Sequence, residues 1–382
     1  MWLNIYLLLT TVLFVPYAII ILLYRKWFLQ LKPFTIAASF QPQTSFSIII
    51  PARNEEANIG ACIQSILQQK YPASLFEIII IDDHSTDNTS EIVQAFHQQH
   101  SNIRLIKLAD ELDSKLLNAY KKKAIEKAIG YSNGDWIITT DADCLVKENW
   151  MASFDAMIQE QAPVFIAAPV VFTKNNTVLS MFQYIDFISL QGITAASVSA
   201  GFHSMCNGAN LAYQKTAFYE VNGFKGIDTI ASGDDMLLMN KIKQRFPSKI
   251  AFLFSKEAIV TTDPMPDWKS FFNQRIRWAS KADTYKDKSI FWVLVLVYLY
   301  NFSLFVMPLV GFFYWPLFFY WLVFIGCKTL VELSFAFPAG KFFGQSFLWW
   351  FPLLQPLHIA YTVIAGWLGK FGKYEWKGRS VK

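Results

Sequence analysis

The sequence predicts an α/β fold, a mostly parallel sheet with helices on both faces, flanked by transmembrane helices. Three observations carry this. Between residues 45 and 256, short continuous apolar runs alternate with segments of helical periodicity, the pattern of strands buried on both faces and joined by crossover helices. Long stretches nearly free of charge, 3–24 and from about 290 onward, lie on either side of that region. The composition agrees: 53% hydrophobic and 17% aromatic residues against 16% charged is too apolar for a wholly soluble protein, so part of the chain belongs in lipid.

The first stretch, "LNIYLLLTTVLFVPYAIIILLY", Leu3 to Tyr24, is uncharged and long enough to span a bilayer at about 20 residues per crossing. No Lys or Arg precedes it, while Arg25, Lys26 and Lys32 follow. That is the reverse of a signal peptide's charge order, and no small-residue cleavage site closes the run. The positive-inside rule therefore places the N-terminus outside and residue 25 onward in the cytoplasm. Next comes "FSIIIP", a buried strand, and a helix whose Ile59, Cys62, Ile63, Ile66 and Leu67 recur with helical spacing. "FEIIIIDD", "NTSEIVQAFHQQ", "IRLIKL", "KKAIEKAI" and "DWIITTDAD" continue the alternation, the last opened by the turn pair Asn133 and Gly134. In such sheets ligands gather at the carboxyl ends of the strands. The unusual polar residues stand there: "PARNEE" after the first strand, "DDHSTDNT" after the second, "DADC" after the fourth.

Three hydrophobic segments follow residue 290, expected to form two to three helices. Lys328 and Glu332 lie four apart in the second, on one helix face, where they neutralise each other inside the membrane; a place in an acceptor site is the other reading. Three full spans after a cytoplasmic domain would put the basic tail "KFGKYEWKGRSVK" outside, against the positive-inside rule. The expectation is a cytoplasmic tail, with one segment re-entrant or interfacial. The chain then divides into an N-terminal transmembrane helix (1–26), a catalytic domain (45–256), an interfacial helix (257–288), C-terminal membrane segments (289–369) and a basic tail (370–382).

The net charge of +5 reflects Lys and Arg clustered beside the apolar segments, where anionic headgroups attract them. No basic stripe with interleaved aromatics suggests nucleic acid as a partner. Cys62, Cys144, Cys206 and Cys327 show no metal or redox spacing and read as free thiols in a reducing compartment.

Asp141 and Asp143, one residue apart where a strand leaves its sheet, either cap a turn or hold a hard cation. A magnesium or manganese ion held by so few protein ligands keeps positions open for phosphate oxygens. Asp82, Asp83, Ser85 and Asp87 can be a turn and helix cap; Asn54, Glu55 and Glu56 can be an acidic first helical turn.

Taken in order, "SIIIPARNEEANI", "IIIIDDHSTDNT", "KKKAIEKAI", "DAD", "NGANLAYQKTAFYEVNGF", "SGDDMLL" and "QRIRW" resemble the family 2 glycosyltransferases, whose nucleotide-binding fold is called GT-A. The resemblance covers roughly residues 45 to 285. It implies an inverting, metal-dependent hexosyltransferase using a nucleotide diphosphate donor, a UDP-sugar. Pro51, Ala52, Arg53, Asn54 and Glu55 would then form the nucleotide loop and Asp83 would contact the uracil and ribose. Lys123 falls at the phosphate-side lysine, although Lys122 stands where the family has glycine. Asp141 would serve nucleotide and metal, Asp143 the metal, and Gly208, Ala209 and Asn210 the wall of the acceptor site. Asp235 matches the general base, beside Asp234 where Glu is more usual. Gln274, Arg277 and Trp278 form the Gln-x-x-Arg-Trp signature, which implies Arg277 at the diphosphate and Trp278 under the acceptor. Their helix also reads as basic and amphipathic, suited to lying on a membrane surface.

The few C-terminal segments are sparse for a pore, and "EWKGR" resembles the tail of lipid-glycosylating members, similar to ceramide and diacylglycerol glucosyltransferases. The expected acceptor is therefore a lipid hydroxyl at the cytoplasmic face of the inner (cell) membrane. A processive polysaccharide synthase is the alternative, and an inactive membrane scaffold the non-enzyme one. Transfer to a polyprenyl phosphate would not call for the Gln-x-x-Arg-Trp helix, and nucleotidyl transfer would need a Gly-rich basic loop where "PARNEE" stands.

Overall fold

The structure, a computed structural model, describes residues 2–110, 120–230, 233–281, 284–285, 287–344, 348–372, 374–376 and 379–381. In chain order the elements are α1 (Trp2–Gln30), β1 (Phe46–Ala52), α2 (Ile59–Leu67), β2 (Phe76–Asp82), α3 (Thr89–Gln99), β3 (Ile103–Lys107), α4 (Tyr120–Tyr131), β4 (Trp136–Thr139), α5 (Trp150–Gln161), β5 (Phe165–Ala167) and β6 (Val170–Phe172). They continue with α6 (Val178–Ser199), β7 (Leu211–Gln214), α7 (Lys215–Glu220), α8 (Met236–Arg245), β8 (Ile250–Phe252), β9 (Val260–Thr262) and α9 (Trp268–Ala279). Last come α10 (Lys288–Gly311), α11 (Pro316–Phe343), α12 (Phe351–Phe371) and the pair β10 (Tyr374–Trp376) and β11 (Arg379–Val381). The chain divides into two units, one of residues 32–171 and 204–263, the other of 1–31, 172–203 and 264–382.

The first unit is built on a seven-stranded sheet of order β3-β2-β1-β4-β7-β5-β8. β1 pairs in parallel with β2 and β4, and β2 with β3. Ile48, Ile49 and Ile50, and Ile78 to Ile81, are wholly buried, so successive side chains on both faces are covered, as the uninterrupted apolar runs require. β7 departs from the parallel pattern, running antiparallel between β4 and β5. Its "LAYQ" is as apolar as its neighbours, and periodicity carries no sign of strand direction. The Asn133-Gly134 turn before β4 lies hard against β1: a Cβ on Gly134 would come within 2.5 Å of the Ser47 nitrogen, which only glycine tolerates.

Within the span 45–256 expected to form the catalytic domain, α6 groups apart from the sheet. α6 is buried along nearly its whole length and belongs to the helical unit, where it packs with α1 and α11. A helix apolar on all sides needs partners all round.

Four helices of that unit, Trp2–Gln30, Lys288–Gly311, Pro316–Phe343 and Leu348–Phe371, are long and apolar enough to cross a membrane. Lys328 and Glu332 pair at 2.7 Å as their spacing predicts. Gln355 of α12 accepts from Lys328 Nζ at 2.7 Å and donates to Glu332, and Tyr17 of α1 donates to the same carboxylate. One buried ion pair thus links three of the four apolar helices, with its lone pairs occupied as burial demands. Of the expected tail motif "EWKGR", Lys377 and Gly378 lie outside the described residues.

The buried Asp155 of α5 holds the entry to β1. Its carboxylate accepts from the backbone nitrogens of Gln43 (2.8 Å) and Thr44 (3.3 Å), the Thr44 hydroxyl, Tyr71 Oη (2.8 Å) and Gln159 Nε2 (3.0 Å). Burial alone would push this carboxyl up, but the donors outweigh it and hold it below its usual value. A lowered folded-state pKa means stability that is fully present above the unfolded value, about 3.9, and lost as the pH falls through the folded one. Asp155→Ala, which strands these donors, should destabilise the sheet unit by about 3 kcal/mol. The unfolding midpoint of detergent-solubilised protein measures this, and the gap between wild type and Asp155→Asn should narrow below about pH 4.

Candidate active site

The loops after β1 and β2 are stitched together. Asp82 accepts from the Ser85 nitrogen (2.9 Å) and the Ser90 hydroxyl, and Asp87 from the Thr89 nitrogen and hydroxyl (3.1 and 2.6 Å). These are the turn and cap roles that the sequence allowed. Asn54, in the left-handed region at φ 53°, accepts from the Thr86 nitrogen at 2.8 Å, and Glu56 accepts from the Asn88 nitrogen at 3.0 Å. The Glu55 nitrogen donates to Thr89 Oγ1 at 2.8 Å. Pro51 and Ala52 end β1. Arg53 Nη1 donates to the Asp83 carbonyl at 2.7 Å, and His84 Nδ1 lies 2.9 Å from Asp83 Oδ1. Asp83, at the end of β2, is thus buried and oriented by the residue after it.

Asp141 to Cys144 form a turn closed by the Cys144 nitrogen on the Asp141 carbonyl at 3.2 Å. Leu145 exchanges backbone hydrogen bonds with Thr261, and Thr262 Oγ1 donates to Asp143 at 3.2 Å. Lys121, on the first turn of α4, donates to Asp141 Oδ1 at 2.7 Å and lies 3.5 Å from Asp234 Oδ2. Burial would lower this lysine's pKa, but Asp141, Asp234 and Asp235 outweigh it and push it up, so it stays charged. Asp235 caps α8; its oxygens accept from the Met236 nitrogen at 2.7 Å and the Gly208 nitrogen at 3.1 Å. Among the described residues no cation forms an ion pair with it. The arrangement gathers Lys121, Asp141, Asp234, Asp235 and Gly208 into one cluster, with Asp143 beside Asp141. A Cβ on Gly208 would stand 3.4 Å from Asp234 Oδ2 and 3.5 Å from Lys121 Nζ, in ordinary contact with the cluster.

Two residues singled out from the sequence are placed elsewhere. Lys123 Nζ bonds Glu126 at 2.8 Å, part-exposed on α4; Lys121, two residues earlier, is the α4 lysine that meets Asp141 and Asp234. Asn210 is wholly buried. Its oxygen accepts from Trp150 Nε1 at 2.9 Å, and its nitrogen donates to the carbonyls of Pro169 and Ala258, both at 2.7 Å. It is a structural tie rather than a wall that a ligand could touch, because burial and three bonds leave its amide no free face. Ala209 is also buried. Lys121 and Thr262 had no signal in the sequence beyond their residue types.

Among the described residues, no three His, Cys, Asp or Glu converge as a complete metal cage. Two carboxylates in one turn nevertheless suit a cation that completes its shell with diphosphate oxygens. Burial, then Asp141 and Glu55, push the Asp143 carboxyl up from its usual value. The hard oxygen donors of Asp141 and Asp143 are of the kind that Mg2+ or Mn2+ takes. Burial, with Asp143 and Asp141 nearby, also pushes the Cys62 thiol up; all four cysteines are free.

In the helical unit, α9 is capped by Asp267, which accepts from the Ser270 nitrogen at 2.8 Å. It buries Phe271, Arg275 and Ile276 and leaves Gln274, Arg277 and Trp278 half-buried. The arginine it buries is the one between the fixed positions of the signature.

Lys121 competes with any cation for Asp141. Lys121→Met should therefore bind Mn2+ about tenfold more tightly without nucleotide, the scale of one neighbouring charge in a partly buried site, while Lys123→Met should bind as wild type. Titration followed by electron paramagnetic resonance measures both.

Residues 47–220 match glycosyl transferase family 2, and residues 136–365 match glycosyl transferase family group 2. The poly-beta-1,6-N-acetyl-D-glucosamine synthase of Staphylococcus epidermidis is 25% identical over 66% of this chain and 59% of its own. The beta-monoglucosyldiacylglycerol synthase of a Synechocystis species is 29% identical over 29% of this chain and 22% of its own. The chain spans about half the length of the curated relatives it matches. The mannosyltransferase PcManGT from Pyrobaculum calidifontis, solved with GDP-Man and Mn2+, superposes with a TM-score of 0.62 at 16% identity, covering 95% of this chain and 98% of that one. That likeness shows the GT-A fold. With more than half its length matched by the family, the chain belongs to the family 2 glycosyltransferases.

Proposed function

We propose that the chain transfers a hexose from a nucleotide diphosphate donor, a UDP-sugar, to a hydroxyl of a membrane lipid with inversion. The observation that carries the reading is the cluster of Lys121, Asp141, Asp234 and Asp235 at the carboxyl edge of the parallel strands. Asp235 is the general base. Two backbone nitrogens hold its carboxylate, and no cation pairs with it among the described residues, whereas Asp234 shares Lys121. Asp235 takes the acceptor hydroxyl's proton as that oxygen bonds the anomeric carbon and the bond to the diphosphate breaks. Lys121, kept charged by its carboxylates, supplies preorganised positive charge on the phosphate side, the role the sequence gave Lys123. Asp141 and Asp143 would hold Mg2+ or Mn2+, which when bound takes up charge on the leaving diphosphate. Pro51 to Glu55 and Asp83 serve the nucleotide. Gly208 lets the acceptor side approach, and Gln274, Arg277 and Trp278 serve acceptor and diphosphate, on the family resemblance.

The lipid acceptor is supported by the four apolar helices and by the glycolipid synthase among the relatives. Positive-inside charge supports a cytoplasmic active site at the cell membrane. The polysaccharide synthase, matched over a longer stretch, supports chain extension as the second reading.

Asp235→Asn should bind UDP as wild type yet transfer on the order of a hundredfold more slowly. Asp143→Ala, or excess chelator on wild type, should abolish transfer. The assay offers UDP-glucose, UDP-N-acetylglucosamine and GDP-mannose with dioleoylglycerol vesicles or a soluble oligosaccharide. Extension of the oligosaccharide without transfer to lipid would favour the second reading; a slow Asp234→Asn with a fast Asp235→Asn would move the base by one residue.

A further inference from the structure

The buried centre of the helical unit holds a second charge cluster, outside the sheet and unused by the mechanism above. Arg275 of α9 is 4% exposed and Asp186 of α6 is 7% exposed. Arg275 Nη2 donates to Asp186 Oδ2 at 2.7 Å, and Tyr361 of α12 donates to Asp186 Oδ1 at 2.6 Å. His358 Nε2 stands 3.8 Å from the same oxygen. One carboxylate therefore joins three helices.

The guanidinium does more than neutralise Asp186. Its carbon lies 4.2 Å from the centroid of the Trp278 ring and 4.9 Å from that of Phe271. Its Nη1 donates to Gln274 Oε1 at 3.3 Å. Phe187, next to Asp186, packs against Trp278 from α6 with centroids 6.2 Å apart. Arg275 thus touches both Gln274 and Trp278, and the α6 pair Asp186 and Phe187 fixes Arg275 and Trp278 respectively. The contact with Gln274 takes up the amide oxygen and leaves the amide nitrogen to face other groups. A planar fork can stack on an indole while bonding a carboxylate and an amide; an ammonium cannot do all three.

Resting on the reading that Gln274 and Trp278 serve the transfer, we propose that Arg275 is a positioning residue: Asp186 and Tyr361 fix its guanidinium, and it sets the orientation of Gln274 and Trp278. It acts through those two side chains and touches no substrate itself. The pair is maintained because an unpartnered charge in this interior is strongly disfavoured, so the geometry is held against thermal motion.

The test compares full-length Arg275→Lys, Tyr361→Phe and Trp278→Ala in detergent, by UDP binding, unfolding midpoint and transfer from UDP-glucose, UDP-N-acetylglucosamine or GDP-mannose. Arg275→Lys keeps the charge for Asp186 and should keep UDP affinity. Its kcat should fall on the order of tenfold to a hundredfold, the scale of a small misplacement, with donor KM unchanged. Adding it to Trp278→Ala should cost less than about twofold more, since residues acting through one another are not additive. Tyr361→Phe, which removes only one donor to Asp186, should shift kcat in the same direction and be equally non-additive, and carries the test if Arg275→Lys does not fold. Wild-type kcat in Arg275→Lys or Tyr361→Phe beside an impaired Trp278→Ala, or losses that multiply, would overturn the inference and leave the proposed function standing. Wild-type transfer by Trp278→Ala would overturn both.

Discussion

Because β1, β2, β3 and β4 pair in parallel, their carboxyl ends leave the sheet along one edge, and the interior strands β1, β2 and β4 must be covered on both faces. The second requirement explains the unbroken isoleucine runs; the first explains where polar residues can stand at all. Arg53, Asp83 and Asp141 follow β1, β2 and β4 without any long excursion of the chain. The gathering of polar residues at the strand ends is a consequence of pairing direction rather than of any single loop.

Gathering carboxylates at that edge creates an electrostatic problem that the sheet unit balances with Lys121. Asp141 and Asp234 both face its ammonium, and its charge is secured by them in spite of burial. Asp143 sits beside this arrangement, accepting from the Thr262 hydroxyl and the Cys144 thiol, while burial, then Asp141 and Glu55, disfavour its ionised form. On the proposed function, a dication and a diphosphate arriving together would bring opposite charges into a cluster already poised between them.

The helical unit solves a different problem with the same chemistry. Lys328 with Glu332 on the apolar α11, and Arg275 of α9 with Asp186 of α6, form two neutral pairs, each completed by uncharged donors or acceptors on other helices. Dispersion alone can slide one apolar helix along another; charge pairs with satisfied hydrogen bonds fix one register. α6, which carries Asp186 and is buried along nearly its whole length, is held in that register.

Strand cores, the alternation with helices, the apolar segments and the Asp141–Asp143 turn were legible in the sequence because each is local: continuous burial, a repeat of 3.6 or a short turn. So was the Lys328–Glu332 pair, whose spacing fixes one helix face. The antiparallel course of β7 was not, since a strand reads the same in both directions. The choice of Lys121 over Lys123 was not, since residues two apart on a helix point about 200° apart and only the roll of α4 against the sheet selects one. Asn210 looked like part of a binding wall until Trp150, Pro169 and Ala258 occupied it, and Arg275, at an unspecified position of the signature, is met by Asp186, 89 residues earlier in the chain. The sequence by itself determined which segments are buried and which residues carry charge; the tertiary structure decided which charges meet, because that depends on distances between elements that no local pattern records.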